Sequence, residues 1–201
     1  NITQAVEKLT KLTSASKTNI KASEALVDIY MQQSEFELAL NELDKLNKVV
    51  FLNPAYIKQK IEIYLALNDL KQATKQIEIL EGLVDSPREL YELSQLYTRT
   101  NKPLKAKETL QRAQVLAPSS LLIQLQLIKL DIQLNLFEEA NAALTAIEKT
   151  DSKNPNVLLV RGDLLLQQKQ LALASNKYAQ ALVLDNNFTQ ALAKLYQMTT
   201  L

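Results

Sequence analysis

The sequence predicts an all-α fold made of repeated helix pairs, and three observations support this prediction. First, alanine recurs at intervals of 33 or 34 residues, at Ala5, Ala39, Ala73, Ala106, Ala140 and Ala174. Second, mostly apolar residues stand three positions before and four and seven positions after each alanine, which places them on one face of an α-helix. Third, the chain has only two glycines and five prolines, and this composition favours helices over sheets.

The period divides the chain into five complete repeats with a partial repeat at each end. Residues 1–19 match the second half of a repeat, and residues 189–201 match the beginning of another. The complete repeats span 20–53, 54–86, 87–120, 121–154 and 155–188. Two helices in each complete repeat and one at each end give about twelve helices. Because the first residues already match a second helix, we expect the chain to be part of a longer array.

Within each repeat, the elements follow in a fixed order of first helix, short turn and second helix. Asn or Ser before Pro54, Pro87 and Pro155 predicts the start of a first helix, because a proline has no N–H to leave unpaired in the first helical turn. The polar segments QQSE, LND, NKP and QKQ predict turns between paired helices. Pro118 follows the second helix of its repeat and predicts its end.

This pattern resembles the tetratricopeptide repeat (TPR), a 34-residue helix hairpin with small and aromatic residues at fixed positions. The repeat 87–120 matches the family pattern at Ser94, Tyr97, Ala106, Leu110, Ala113 and Pro118. The resemblance implies a right-handed α-α superhelix, that is, a solenoid of antiparallel helix hairpins. It also implies a non-catalytic scaffold whose concave groove binds a peptide or protein partner.

Three repeats depart from the family pattern where paired helices approach closely. Val27, Ile61 and Ile128 stand at a position where the family has a small residue. Leu or Ile also occupies the second close-approach position in the same repeats. Because bulky side chains hold packed helices apart, we expect the curvature of the array to vary along the chain.

The composition excludes most kinds of catalytic or metal site. The chain has no His and no Cys, so it lacks the commonest general base, metal ligand and thiol nucleophile. Glu138 and Glu139 stand at the start of a second helix, where carboxylates stabilise the helix dipole. Gly82 and Gly162 form no phosphate-binding loop, and Gly162 occupies the small position of its repeat. We therefore predict no enzyme activity, no catalytic residue, no metal and no cofactor.

The charge and hydropathy of the chain limit its partners. The formal net charge is +1, so no overall field attracts nucleic acid or an anionic membrane. The longest apolar run is far too short to span a membrane. We therefore expect a protein or peptide partner, no nucleic acid and no direct membrane insertion of this part of the chain.

The resemblance also indicates candidate partner-binding residues, because the family binds partners through fixed positions of its first helices. The candidates are Lys58, Arg88, Tyr91, Gln95, Leu125, Lys129, Leu159 and Asp163. One branch of the family, the chaperone adaptors, clamps a C-terminal carboxylate with Lys, Asn and Arg side chains. Glu62 and Glu92 stand where that clamp needs donors, so we do not expect it here.

The helix at residues 121–134 has two interpretations, because it is apolar on nearly every side. In the first, it contributes to an apolar trough for a peptide, formed by Leu122, Leu125, Ile132, Leu159, Val160 and Leu166. In the second, a one-residue slip in register brings Leu125, Ile128 and Ile132 into the core. Counting from Ala140 favours a slip, since it puts Asp131 where other repeats have Tyr or Leu.

An alternative function remains open for the same helix. Its apolar surface could mediate self-association, which would make the chain a homo-oligomeric assembly module of a bacterial export or envelope complex. The array resembles bacterial envelope proteins of the exopolysaccharide-export and lipoprotein kind. This resemblance implies the bacterial periplasm or cell envelope rather than the cytoplasm.

Overall fold

A computed structural model describes residues 2–16 and 19–199, and over these residues the chain is all-α, with twelve helices and no strand. The prediction of an all-α helical-repeat fold is therefore confirmed. The helices are α1 (Ile2–Ala15), α2 (Ile20–Gln32), α3 (Phe36–Val49), α4 (Pro54–Ala66), α5 (Leu70–Glu81), α6 (Pro87–Arg99), α7 (Pro103–Leu116), α8 (Leu121–Gln133), α9 (Phe137–Asp151), α10 (Pro155–Gln167), α11 (Leu171–Leu184) and α12 (Thr189–Thr199). The chain divides into two compact units, Asn1–Asp85 and Ser86–Leu201.

The recurring alanines lie where the second helices are most deeply buried. The side chains of Ala39, Ala73, Ala106, Ala140 and Ala174 are all inaccessible to solvent. Ala5, on α1, is exposed. A methyl group at this position lets the first helix of the pair approach closely, as the periodicity predicts.

The first helices start where the Asn-Pro and Ser-Pro steps predict. Pro54, Pro87 and Pro155 are the first residues of α4, α6 and α10, respectively. The Asn53 and Asn154 side chains accept a hydrogen bond from the N–H of the second residue that follows each of them. Ser86 forms a capping box with Glu89, in which each side chain bonds to the backbone N–H of the other residue.

The turns inside the five complete helix pairs share one backbone geometry that the sequence analysis does not predict. One residue in each turn has a left-handed conformation with φ between 56° and 63°: Ser34, Asn68, Asn101, Asn135 and Lys169. The N–H of the next residue donates to the carbonyl five positions earlier, for example Lys102 N to Tyr97 O at 2.9 Å. Three of the five residues are Asn, which tolerates this conformation better than most residues.

Helix α8 is buried on nearly every side within the second compact unit. Its buried apolar residues are Ile123, Leu125, Leu127, Ile128, Leu130 and Ile132. Leu125, Ile128 and Ile132 form one cluster with residues of α9 and α10, as the core interpretation predicts. The left-handed Asn135 stands in the same place as in the other turns, so the burial does not require the one-residue slip. Asp131 keeps its expected position and pairs with Lys107 of α7, at 2.5 Å between Nζ and Oδ1.

Candidate functional site

A cleft of about 380 Å³ lies between the first helices α8, α10 and α12 of the second unit. We call it the first-helix cleft. Its lining residues are Lys129, Ile132, Gln133, Asn135, Asp163, Leu166, Gln167 and Lys194. The structure thus brings together Lys129 and Asp163, two of the candidate residues that the sequence analysis selects.

The carboxylate of Asp163 is fixed by two partners in this cleft. The hydroxyl of Tyr178 on α11 donates to Asp163 Oδ1 at 2.9 Å. The ammonium of Lys194 on α12 lies 2.9 Å from the same oxygen. Burial, followed by the nearby Asp163 carboxylate, raises the pKa of the Tyr178 hydroxyl, so the phenol keeps its proton and stays a donor. Asp163 is therefore held in one orientation by α11 and α12.

Lys129 differs from Lys194 because it has no such anchor. Its side chain is half-buried, and no hydrogen bond or ion pair joins it to another residue in the described part of the chain. The amides of Gln133, Asn135 and Gln167 stand around the same space. An ammonium group and several amides can bind an anionic group together with the polar backbone of a peptide.

The apolar trough expected across these helices is closed in the structure. Leu125 is 6% exposed and Leu159 is 2% exposed, and Ile132 and Val160 are also buried. These four side chains pack in the cores on both sides of α10. Of the other expected trough residues, Leu122 is 59% exposed and Leu166 is half-buried. The expectation is wrong because first helices in this unit pack against neighbours on two sides.

Lys58, Arg88, Tyr91 and Gln95, the remaining candidates, are not among the residues that line the first-helix cleft. Lys58 is half-buried on α4 in the first unit. On α6, Arg88 pairs with Glu92 at 3.3 Å between Nε and Oε1, while Tyr91 and Gln95 are half-buried.

Sequence reasoning misses Lys194 and Tyr178. Lys194 follows Val160, one of the expected trough residues, by one period of 34 residues. The period therefore contains the signal, but residues 189–201 are recognisable from the sequence only as the start of an incomplete repeat. Tyr178 stands four residues after Ala174 on the buried face of α11, and its hydroxyl reaches Asp163 from behind the cleft.

The described residues do not contain a group of three or more His, Cys, Asp or Glu that could hold a metal ion. No helix in the described ranges is long and apolar enough to cross a membrane.

Comparisons with known proteins give structural matches alone. No protein-family model matches the sequence, and no curated protein matches it. YrrB, described as a TPR protein with an unusual peptide-binding site, is 17% identical, with a TM-score of 0.61 over 94% of this chain and 98% of its own. The MamA protein is 14% identical, with a TM-score of 0.62 over 85% and 94% of the two chains. A thermophilic TPR protein of Thermus thermophilus is 16% identical, with a TM-score of 0.58 over 90% and 100%.

Proposed function

The chain has a tetratricopeptide-repeat fold, and from this premise we propose that it is a non-catalytic scaffold whose first-helix cleft binds an acidic peptide segment of a partner protein. Repeat folds of this class are protein-interaction scaffolds, and they present open surfaces lined by successive helices. The observation that carries the proposal is the arrangement of charge in the cleft. Lys194 neutralises the charge of Asp163, whereas no residue in the described part of the chain neutralises the ammonium group of Lys129.

The polar residues of the cleft support a peptide as the ligand. Peptide backbones need both donors and acceptors, and primary amides supply both. Gln133, Asn135 and Gln167 provide such amides beside Lys129, and the side chains of Ile132 and Leu166 provide apolar contact area. A cleft of about 380 Å³ is within the usual size range of ligand sites. YrrB, which has a similar fold, is described as having a peptide-binding site.

Self-association through α8 is not part of the proposal. That hypothesis depends on an exposed apolar surface on residues 121–134. Six apolar residues of α8 are buried within the monomer, and Leu122 is the one large apolar side chain of this helix that is mostly exposed. Little apolar surface of α8 is therefore left for a second copy to cover.

The proposal can be tested with the purified chain and an array of short peptides that differ in charge at alternate positions. We expect acidic peptides to bind more tightly than their lysine counterparts. Lys129→Glu should weaken binding of the acidic peptides by about tenfold, which corresponds to about 1.4 kcal/mol, because it replaces an attraction by a repulsion. Fluorescence anisotropy of labelled peptides measures both effects.

The matched control is Lys149→Glu, which makes the same charge reversal at an exposed position of α9 outside the cleft. This variant should bind the acidic peptides like the wild type. Equal weakening by the two variants would show a non-specific charge effect and contradict the proposal. Absence of binding to every peptide of the array would also contradict it.

A further inference from the structure

A second cleft, of about 480 Å³, lies between the second helices α7 and α9, with α8 at its base. We call it the second-helix cleft. Gln111 and Gln114 of α7 line one side, Ala143 and Ile147 of α9 line the other, and Ile128 of α8 contributes to the base. It shares no lining residue with the first-helix cleft, and the proposed function does not use it.

The cleft exists because α8 and α9 pair less closely than the other helix pairs of this unit. The pairs α6–α7 and α10–α11 pack extensively, whereas α8 and α9 pack much less against each other. Ile128 and Ile147 stand at the two close-approach positions, and both line the cleft. Val27 with Leu46, and Ile61 with Leu80, are equally bulky pairs at these positions, yet α2–α3 and α4–α5 pack extensively, so bulk here does not by itself open a gap.

Asp131 is the residue that distinguishes this helix pair from the other four complete repeats, which have Tyr or Leu at the equivalent position. The repeats before and after have Tyr97 and Leu165 at the equivalent position, and such side chains fill space between paired helices. Asp131 is shorter, and it lines the cleft together with Lys107. Its ion pair with Lys107 holds α8 against α7 and leaves the space beside α9 unfilled.

The chemistry of the second-helix cleft differs from that of the first-helix cleft. Lys107 and Asp131 neutralise each other, so the lining has no net charge. Gln111 and Gln114 have amides that bond to no other side chain or backbone group among the described residues. Leu127, Ile128 and Ile147 give the base an apolar character.

From the electrically neutral lining and the amides of Gln111 and Gln114 we propose that the second-helix cleft binds an extended, uncharged peptide segment of a partner protein. The amides of Gln111 and Gln114 pair with the backbone N–H and C=O groups of such a segment, and small apolar side chains of the segment contact Ile128 and Ile147. An extended segment has free backbone groups for these amides, whereas a helix uses its own backbone groups internally. A charged segment loses hydration in the cleft without gaining an unpaired opposite charge.

The probe for this proposal is a blocked, labelled peptide in which Val and Ser alternate, together with versions that carry Glu or Lys in place of Ser. The purified chain should bind the uncharged peptide more tightly than either charged version. Gln111→Ala combined with Gln114→Ala should weaken binding by about tenfold, because the peptide backbone then loses its partners. Both substitutions introduce a good helix former, so α7 stays intact.

Ala143→Trp is a second and independent test, because an indole ring at this position fills the cleft. Ala142→Trp is its matched control, since both alanines are exposed on α9 and Ala143 lines the cleft whereas Ala142 does not. We expect at least about tenfold weaker binding for Ala143→Trp and wild-type binding for Ala142→Trp. Circular dichroism establishes that both variants are folded.

The proposal is overturned if the uncharged peptide does not bind, if the charged versions bind equally well, or if the two tryptophan substitutions have equal effects. Lys129→Glu separates this site from the proposed function. That variant should leave binding of the uncharged peptide unchanged, because Lys129 lines the first-helix cleft. Loss of uncharged-peptide binding in Lys129→Glu would place the peptide in the first-helix cleft and contradict the proposal.

Discussion

The ring of Tyr178 leaves no space for a side chain at Gly162. Gly162 lies on α10, and a Cβ added there would overlap the ring of Tyr178, at 2.7 Å from Cδ1 and 2.9 Å from Cζ. The ring cannot easily move, because Tyr178 is fully buried and its hydroxyl donates to Asp163. The close contact also joins the packing of α10 and α11 to the orientation of a charged group in the first-helix cleft.

We predict that Gly162→Ala lowers the free energy of unfolding by about 1–2 kcal/mol. Overpacking of this kind costs about 1–3 kcal/mol, and the higher helix propensity of alanine returns up to about 1 kcal/mol. Urea denaturation followed by circular dichroism measures the change.

Gly82→Ala is the matched control for this prediction. A Cβ at Gly82 would make an ordinary contact of 3.6 Å with the carbonyl oxygen of Ile79, and the backbone there has φ of −73°. The substitution should leave stability unchanged or raise it by about 0.4–1 kcal/mol, through the unfolded state. Equal stability of the Gly162→Ala and Gly82→Ala variants would contradict the close contact between Gly162 and the ring of Tyr178.

At the scale of single residues, the sequence predicts the properties that recur with each repeat. It does not predict a turn conformation or a burial that depends on contacts with other helices. The period predicts Gly162 as the small residue of its repeat, because two periods of 34 residues separate it from Ser94, the small residue of the repeat 87–120. Ser34 and Lys169 are not recognisable as left-handed turn residues, because neither residue type signals that conformation. The family resemblance assigns Leu159 to a surface, and its burial depends on α11 and α12, which no local pattern describes.

At the scale of helices, the alanine positions of the second helices set how closely each pair packs. Ala106 on α7 is fully buried, and α7 packs extensively along α6. We predict that Ala106→Phe lowers the free energy of unfolding by at least about 1–3 kcal/mol, because the ring has no space between the two helices. Thermal and urea denaturation measure the change.

Leu104→Phe provides the control on the same helix. Leu104 is 70% exposed, so a phenyl ring there meets solvent and the substitution should change stability by less than about 0.5 kcal/mol. An unchanged unfolding midpoint for Ala106→Phe would mean that the helix register given by the alanines is wrong.

In helix α8, the periodicity of apolar residues does not predict which side of the helix is buried. An apolar face predicts which side of a helix is buried only when another side is polar. Residues 121–134 have apolar residues on nearly every side, so both the trough and the core interpretation fit the pattern. The structure favours the core, because α7, α9 and α10 surround α8, and Lys107 of α7 pairs with Asp131. Those contacts are tertiary, and the sequence of α8 does not contain them.

The periodicity also does not predict the hydrogen bonds that join α9 to α10. The guanidinium of Arg161 on α10 donates to both carboxylate oxygens of Glu148 and to Asn141 Oδ1 and Thr145 Oγ1, all on α9. A bidentate pair of this kind is stronger than a single hydrogen bond between neutral groups. Arg161 and its three partners lie on different helices, more than one helical turn apart in the sequence. They meet only because α9 and α10 pack together.

At the scale of the whole molecule, the fold follows from the period, whereas the second-helix cleft follows from a deviation from it. All five complete repeats bury their alanines, and four of the five pack their paired helices extensively. The repeat 121–154 deviates at Asp131, where the other complete repeats have Tyr or Leu, and the second-helix cleft lies there. The first-helix cleft depends on Lys194, which belongs to the last and incomplete repeat. A search for function in such an array should therefore start from the repeats that depart from the pattern.

The pH dependence of stability is also a property of the whole molecule, and without histidine it has no contribution from an imidazole near neutral pH. A contribution at high pH comes from Tyr56, which is buried on α4 and donates to Glu24 Oε1 at 2.7 Å. Burial, and then the hydrogen bond and charge of Glu24, raise the pKa of Tyr56 from 10.0 to about 12. The folded state therefore retains this proton more tightly than the unfolded state.

We predict that the stability contributed by Tyr56 is fully present below pH 10 and is lost as the pH rises towards 12. Near neutral pH, Tyr56→Phe should unfold more easily than the wild type by about 1–2 kcal/mol, because the hydrogen bond to a charged acceptor is removed. The difference should shrink as the pH approaches 12, since the ionised phenol no longer donates to Glu24 and is repelled by it. Urea denaturation of both proteins at a series of pH values measures the difference.

Tyr196→Phe, at a side chain that is 71% exposed, leaves the bond between Tyr56 and Glu24 intact and serves as the control. A difference between wild type and Tyr56→Phe that stays constant up to pH 12 would contradict the assignment, because it would mean that the hydroxyl proton is not held by Glu24.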